Sequence, residues 1–202
     1  MIKTLIFDFG DVFVNLDKPA TLREMKKFKI EEITPKTRDL NQEYEKGLIS
    51  SEEFLQHYQE EYKVLEQADV LDSWNAVLVD FPKYRFEFLK KLASEKKYQL
   101  ILLSNTNEIH IDWIKENVSF FDEFKSYFDA FYLSHEINFR KPDAEIYEFV
   151  LKNHDLNPEE CLFIDDTKEN TGAAEALGIH TWNIDPTKED VIDLFRAKKE
   201  LF

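Results

Sequence analysis

The sequence predicts an α/β protein, a doubly wound, Rossmann-like parallel sheet with a small four-helix cap inserted into it. Three observations predict it. Short apolar runs, Leu5-Ile6-Phe7, Gln99 to Leu103 and Cys161 to Ile164, alternate with amphipathic segments, as buried parallel strands alternate with crossover helices. Each run ends in residues able to do chemistry: Asp8, then Ser104-Asn105-Thr106, then Asp165-Asp166. From about Leu16 to about Pro82 no strand-type run occurs, and the pattern reads as helix.

The elements follow in order. Leu5 to Phe7 is the first strand. In the helical stretch, Asp17 ahead of Pro19 reads as an N-cap with a first-turn proline, and Thr34-Pro35 repeats the device. Gly47 is a stop signal. Ser50 with Glu53 forms a capping box, followed by Phe54, Leu55, Tyr58 and Tyr62 on one face. A fourth helix is expected from about Ala68 to Val79 with Val70, Leu71, Trp74 and Leu78 inward. Four such helices pack as a bundle, so the aromatic stripe reads as bundle core.

Beyond Pro82 strand and helix alternate. A helix is expected from Tyr84 to Glu95, with lysines near its C-terminal end where cations suit the macrodipole. The strand Gln99 to Leu103 is followed by helices near Ile109 to Asn117 and Phe120 to Phe128. The strand Ala130 to Leu133, a helix Ala144 to Asn153 and the strand Cys161 to Ile164 come next. A helix Glu169 to Leu177 ending at Gly178, a strand His180 to Asn183 and a helical tail from about Lys188 complete the chain. This alternation implies a parallel sheet with helices on both faces. Residues 1–15 and 83–202 are expected to form the core and residues 16–82 the cap, because no Gly/Ser-rich linker separates independent modules.

Composition narrows the function. The chain carries 41 acidic against 26 basic residues, a formal charge of −15, which repels nucleic acid and anionic membranes. No segment approaches the roughly 20 apolar residues of a membrane span, and no apolar segment with a cleavage site opens the chain. The single Cys161 precludes an internal disulfide and suits a reducing compartment. The expectation is a soluble, cytoplasmic monomer or weak dimer without nucleic-acid or membrane partners. The five scattered His and one Cys provide no zinc-ligand spacing.

A carboxylate just past a buried strand stands at the open rim of an α/β sheet, where ligands bind. Alone, Asp8 or the pair Asp165-Asp166 also suits helix capping. Two adjacent carboxylates after a buried strand are costly without a cation, however, and Arg140-Lys141 ahead of Pro142 supplies positive charge in the same series.

The ordered set Phe7-Asp8-Phe9-Gly10-Asp11-Val12, Leu103-Ser104-Asn105-Thr106-Asn107, Arg140-Lys141-Pro142 and Asp165-Asp166-Thr167-Lys168-Glu169-Asn170 resembles the haloacid dehalogenase-like hydrolase superfamily. Within it the set is most similar to the sugar-phosphatase branch that includes bacterial α-glucose-1-phosphatase. The resemblance spans nearly the whole chain. It implies an Mg²⁺-dependent phosphatase acting on a small phosphorylated metabolite. Asp8 is then the nucleophile that forms an aspartyl-phosphate, and Ser104 and the Asn105 amide donate to the phosphate oxygens. Lys141 pairs with phosphate and Asp8, and the metal is held by Asp8, the Gly10 carbonyl and Asp166, with Asp165 acting through water. Arg140 and Asn170 resemble support residues, and the insertion resembles the cap that closes over the site and selects substrate. His110 and His135 match no motif and read as satisfied polar groups.

The chain departs from the family pattern at Gly10, where most phosphatases of the superfamily carry a second Asp that protonates the leaving group. Loss of a general acid costs on the order of 10²–10⁴-fold. Asp11 is one replacement. The other is a substrate whose leaving group needs little protonation, such as a sugar 1-phosphate, in keeping with the glucose-1-phosphatase pattern. Two rival readings remain. A metal-free 2-haloacid dehalogenase has no use for two adjacent acids, and a non-catalytic binding protein has no use for an intact nucleophile and lysine.

Overall fold

The computed structural model describes residues 1–202. The first strand β1 (Thr4–Phe7) leads through a tight loop to β2 (Asn15–Leu16). Four helices follow, α1 (Ala20–Met25), α2 (Pro35–Glu45), α3 (Ser51–Glu61) and α4 (Gln67–Asn75), and then β3 (Leu78–Asp80). The second half alternates: α5 (Lys83–Glu95), β4 (Gln99–Ser104), α6 (Glu108–Asn117), α7 (Phe121–Ser126), β5 (Ala130–Leu133), α8 (Ser134–Ile137), α9 (Ala144–Asn153), β6 (Cys161–Asp165), α10 (Lys168–Ala176), β7 (His180–Asn183) and α11 (Leu194–Ala197).

The main sheet is parallel, in the order β5-β4-β1-β6-β7. Alternate side chains go to opposite faces. Leu5, Phe7, Leu100, Leu102, Leu162 and Ile164 enter one buried cluster, while Ile6, Ile101, Leu103, Cys161 and Phe163 enter another. With both faces covered, the strands read as unbroken apolar runs. Strand order reverses beside β1, which places the crevice at the carboxyl ends of β1 and β6.

The cap is built around Met25, Tyr44, Phe54, Leu55, Tyr58, Val70 and Trp74, a cluster that Ile109 of α6 joins from the core. Phe54 stacks on Tyr44 with centroids 4.2 Å apart. Thr34 caps α2 by accepting from the Thr37 amide, and the Ser50–Glu53 capping box opens α3. Gly47 ends the α2 region at φ +65°.

Several expectations need correction. Asp17 does not cap α1: its carboxylate pairs with Arg23 at 2.6 Å, and Pro19 holds the N-cap position. The fourth helix stops at Asn75, because Leu78–Asp80 pairs antiparallel with Asn15–Leu16 to form the two-strand ribbon that joins cap to core. The Asp17 amide extends the pairing by donating to the Val77 carbonyl at 2.9 Å. The segment after β5 forms a further short helix, α8, and the tail contains only brief helical turns in place of a continuous helix.

Candidate active site

Strand register sets the centre of the site. Phe7 lies opposite Ile164, so the next residues, Asp8 and Asp165, emerge side by side, and the Asp8 amide donates to the Ile164 carbonyl at 2.9 Å. Lys141 comes between them. Its Nζ stands 2.8 Å from Asp8 Oδ1 and 2.6 Å from Asp165 Oδ2. All three side chains are buried.

Asn105 positions that lysine. Its side-chain amide donates to the Lys141 carbonyl at 2.8 Å and its side-chain oxygen accepts from the Lys141 amide at 2.9 Å. The β4 end therefore clamps the 140–142 loop through one side chain. Asp165 is fully engaged, accepting from the Thr167 amide at 2.8 Å and from the Asn170 side chain at 3.0 and 3.1 Å besides Lys141. Tyr147 in turn donates to the Asn170 carbonyl at 2.8 Å.

Charge perturbs the group. Burial pushes the Asp8 carboxyl up to about 7; the Lys141 ammonium opposes the rise and the Asp165 carboxylate adds to it. Burial also disfavours the Lys141 cation, but Asp165 and Asp8 outweigh it and hold the ammonium above the usual lysine value. Asp166 is raised by burial against the pull of Lys18.

The first loop turns tightly. The Phe13 and Val14 amides donate to the Phe9 carbonyl and the Asp11 amide to Val14, with Asp11 at φ +54°. A Cβ on Gly10 would meet Leu16 Cδ1 at 2.6 Å, so Leu16 fills the space beside it. Asp11 does not turn toward Asp8. Its Oδ1 accepts from the Leu16 amide at 3.0 Å and its Oδ2 lies 3.1 Å from Lys18 Nζ. Lys18 also donates to Asp166 Oδ2. Arg85, which sequence analysis did not single out, braces the same loop from below. It donates to the Phe13 carbonyl at 3.3 Å and Asn15 Oδ1 at 2.9 Å and pairs with Asp190 at 3.0 Å.

Asp8, Asp165 and Asp166 each bring a carboxylate oxygen within 4.8 Å of one another. An all-carboxylate donor set suits a hard divalent cation. Asp8 and Asp166 are the members with oxygens to spare, since Asp165 already has its hydrogen bonds.

A pocket of about 440 Å³ opens over these groups, lined by Asp8, Gly10, Lys18, Asn105, Lys141 and Asp166 among others. Ser104 is buried behind it, its Oγ 3.4 Å from the Asn105 carbonyl. Glu45 from the cap and Arg140 from the core close its rim, with Glu45 Oε2 accepting from Arg140 Nε at 3.2 Å and Nη2 at 2.9 Å.

The histidines differ. His110 lies on α6 outside the pocket; it donates from Nε2 to the Trp74 carbonyl, and its Nδ1 accepts from Asn107, each at 3.1 Å. His135 departs from the expectation, because its buried Nδ1 finds no partner.

Residues 2–178 match the haloacid dehalogenase-like hydrolase family. The chain belongs to that family. It is 28% identical over 190 residues to D-ribitol-5-phosphate phosphatase of Bacteroides thetaiotaomicron, a match spanning 90% of this chain and 91% of the relative. Among solved structures, it is similar to a haloacid dehalogenase-family enzyme of the same organism in complex with magnesium and inorganic phosphate. The identity is 35% and the TM-score 0.84, over 97% of this chain and all of that one. A haloacid dehalogenase-like hydrolase of Porphyromonas gingivalis gives 29% identity and a TM-score of 0.85 over 98% of both chains. No helix of this family member is long and apolar enough to cross a membrane.

Proposed function

We propose that the chain is an Mg²⁺-dependent phosphatase of small polyhydroxylated phosphate monoesters, with residues 16–82 as the cap over a core of residues 1–15 and 83–202. The observation that carries it is Lys141 bridging Asp8 and Asp165 at 2.8 and 2.6 Å beside Asp166. This puts one lysine and a further carboxylate, Asp166, around the candidate nucleophile. Similarity to a ribitol-phosphate phosphatase and to an enzyme solved with magnesium and phosphate supports the same reading.

In this reading Asp8 attacks phosphorus in line and carries the phosphoryl group until water releases it. Lys141 holds Asp8 in place and neutralises charge on the transferred group. The Asn105 backbone amide donates to its non-bridging oxygens, and the Ser104 hydroxyl joins it by turning from the Asn105 carbonyl. Asp8, Asp166 and the Gly10 carbonyl would hold Mg²⁺, with Asp165 behind them. When bound, the ion lowers the repulsion between a carboxylate and a phosphate dianion. Lys18, which pairs with Asp166, would have to release that carboxylate for it to serve as a ligand.

Beside Gly10, Lys18 pairs with Asp11 and lines the pocket, and its ammonium is the proton-bearing group of that pair. It supplies the leaving-group proton where the leaving group needs one. The alternative explanation of Gly10, an easily departing anomeric alcohol, makes a different prediction. Faster release from a sugar 1-phosphate than from the 6-phosphate of the same sugar favours the anomeric leaving group; equal release assigns the proton to the Asp11–Lys18 pair.

The test is phosphate release from p-nitrophenyl phosphate, alditol phosphates and sugar phosphates, with Mg²⁺ and with chelator, for wild type and Asp8→Asn. The expected outcome is metal-dependent release that the substitution lowers by about 10⁴-fold or more. A folded protein that binds Mg²⁺ and releases nothing would instead be a non-catalytic binding protein, and metal-independent halide release would point to the dehalogenase.

A further inference from the structure

One of the places where the cap meets the core is the turn after α2, which sits on the segment 134–143. Gly47 is pressed against the His135 carbonyl, 2.0 Å from where a Cβ would stand. Asn138 donates to the Lys46 carbonyl at 2.8 Å, and Lys46 Nζ reaches Asp143 at 2.9 Å. These contacts already fix the turn. Glu45, at the end of α2, pairs with Arg140 beside these contacts and lines the pocket.

The pair is asymmetric. Arg140 spends Nε and Nη2 on one oxygen of Glu45, Oε2. This leaves Glu45 Oε1 as an acceptor and Arg140 Nη1 as a donor, on side chains still 27% and 22% exposed. Both residues line the pocket that holds Asp8, Lys141 and Asp166. A hydroxyl group is both donor and acceptor, so neighbouring hydroxyls on a carbon chain complement this pair, and an apolar or aromatic leaving group does not. The lining agrees, since Leu16 is the single hydrophobic residue among thirteen.

We propose that Glu45, with Arg140 as its positioning residue, is the specificity determinant of the site and binds the hydroxyls of the alcohol portion of the substrate. The proposal rests on the phosphatase reading above and adds the group that recognises the leaving alcohol. Binding energy gathered there, away from phosphorus, serves to orient the ester for attack.

The experiment compares kcat/KM for an alditol phosphate and for p-nitrophenyl phosphate, which has no hydroxyls, in wild type, Glu45→Gln, Glu45→Ala and Lys46→Ala. A charge-assisted hydrogen bond corresponds to roughly 10–100-fold. Glu45→Ala is expected to lose about that much on the alditol phosphate, while p-nitrophenyl phosphate stays within about 2-fold of wild type. Glu45→Gln should lie between, and it carries the test if the alanine variant does not fold. Lys46→Ala cuts a neighbouring seam contact and should keep the wild-type ratio of the two substrates. Equal losses on both substrates, no loss on either, or a matching change of ratio in Lys46→Ala would each overturn the assignment. Wild-type protein that releases phosphate from neither compound would overturn the phosphatase reading, and this inference with it. Wild-type release with an unchanged ratio in every variant would overturn the inference alone.

Discussion

Lys141 Nζ lies 2.8 Å from Asp8 Oδ1 in a place where neither residue meets solvent appreciably. A second carboxylate, Asp165, shares the same ammonium at 2.6 Å. One cation between two buried anions is a high-stakes arrangement, because removing it leaves two like charges together in a medium of low dielectric.

Lys141→Met is therefore expected to lower stability by about 3–5 kcal/mol and to abolish phosphate release. Adding Asp8→Asn to that variant should recover part of the loss by removing one of the stranded charges. Urea midpoints of the two single variants and the double variant measure this coupling.

Arg85 holds the loop that carries Asp8 to Asp11 through the Phe13 carbonyl and Asn15, anchored on Asp190. Arg85→Met keeps the stem and removes the donors. We expect a loss of about 2–4 kcal/mol, since Asp190 retains some contact with water. Thermal unfolding tests it, and a midpoint within 1 °C or so of wild type would show that the loop is held by packing alone.

Gly47 combines φ +65° with a Cβ position 2.0 Å from the His135 carbonyl. Gly47→Ala therefore faces backbone strain and a clash at the cap–core seam, together about 1–3 kcal/mol. Limited proteolysis should cut the cap of the variant faster than that of wild type, with the core fragment persisting longest.

His110 gives a pH signature. Burial pushes its imidazole down to about 4 from an ordinary value near 6.5. The folded protein thus holds it neutral where the unfolded chain would protonate it. Its contribution is fully present above pH 6.5 and is lost as pH falls toward 4, a change of up to about 3 kcal/mol. Asp8 acts with the opposite sign. Its folded value of about 7 lies above that of an unfolded aspartate, so its contribution is lost as pH rises through 7. The measurement is accordingly the difference in denaturation free energy between wild type and His110→Asn at pH 7.5 and pH 5. The advantage of wild type should shrink at the lower pH.

Most of the sheet and the centre of the site were legible because both rest on local pattern. A parallel strand buried on two faces must be an apolar run, and whatever follows it stands at the rim, so Asp8, Asn105 and Asp165-Asp166 declared their position without a fold. Capping at Thr34 and Ser50 is equally local. The ribbon formed by Asn15–Leu16 and Leu78–Asp80 was not legible, because its pairing joins residues more than sixty positions apart, and an apolar Leu78 satisfies a helical period as well as a strand.

The sequence by itself determined the α/β class, the inserted helices and the order in which an aspartate, a Ser-Asn pair, a lysine and paired aspartates reach the sheet rim. Only the tertiary structure decided how these groups are shared out. It committed Asn105 to Lys141, saturated Asp165 while leaving Asp166 to Lys18, turned Asp11 toward the cap linker and brought Glu45 to Arg140 across ninety-five positions. Periodicity records which face of an element is buried, whereas a charged side chain in a loop carries no record of its partner until packing brings the two together.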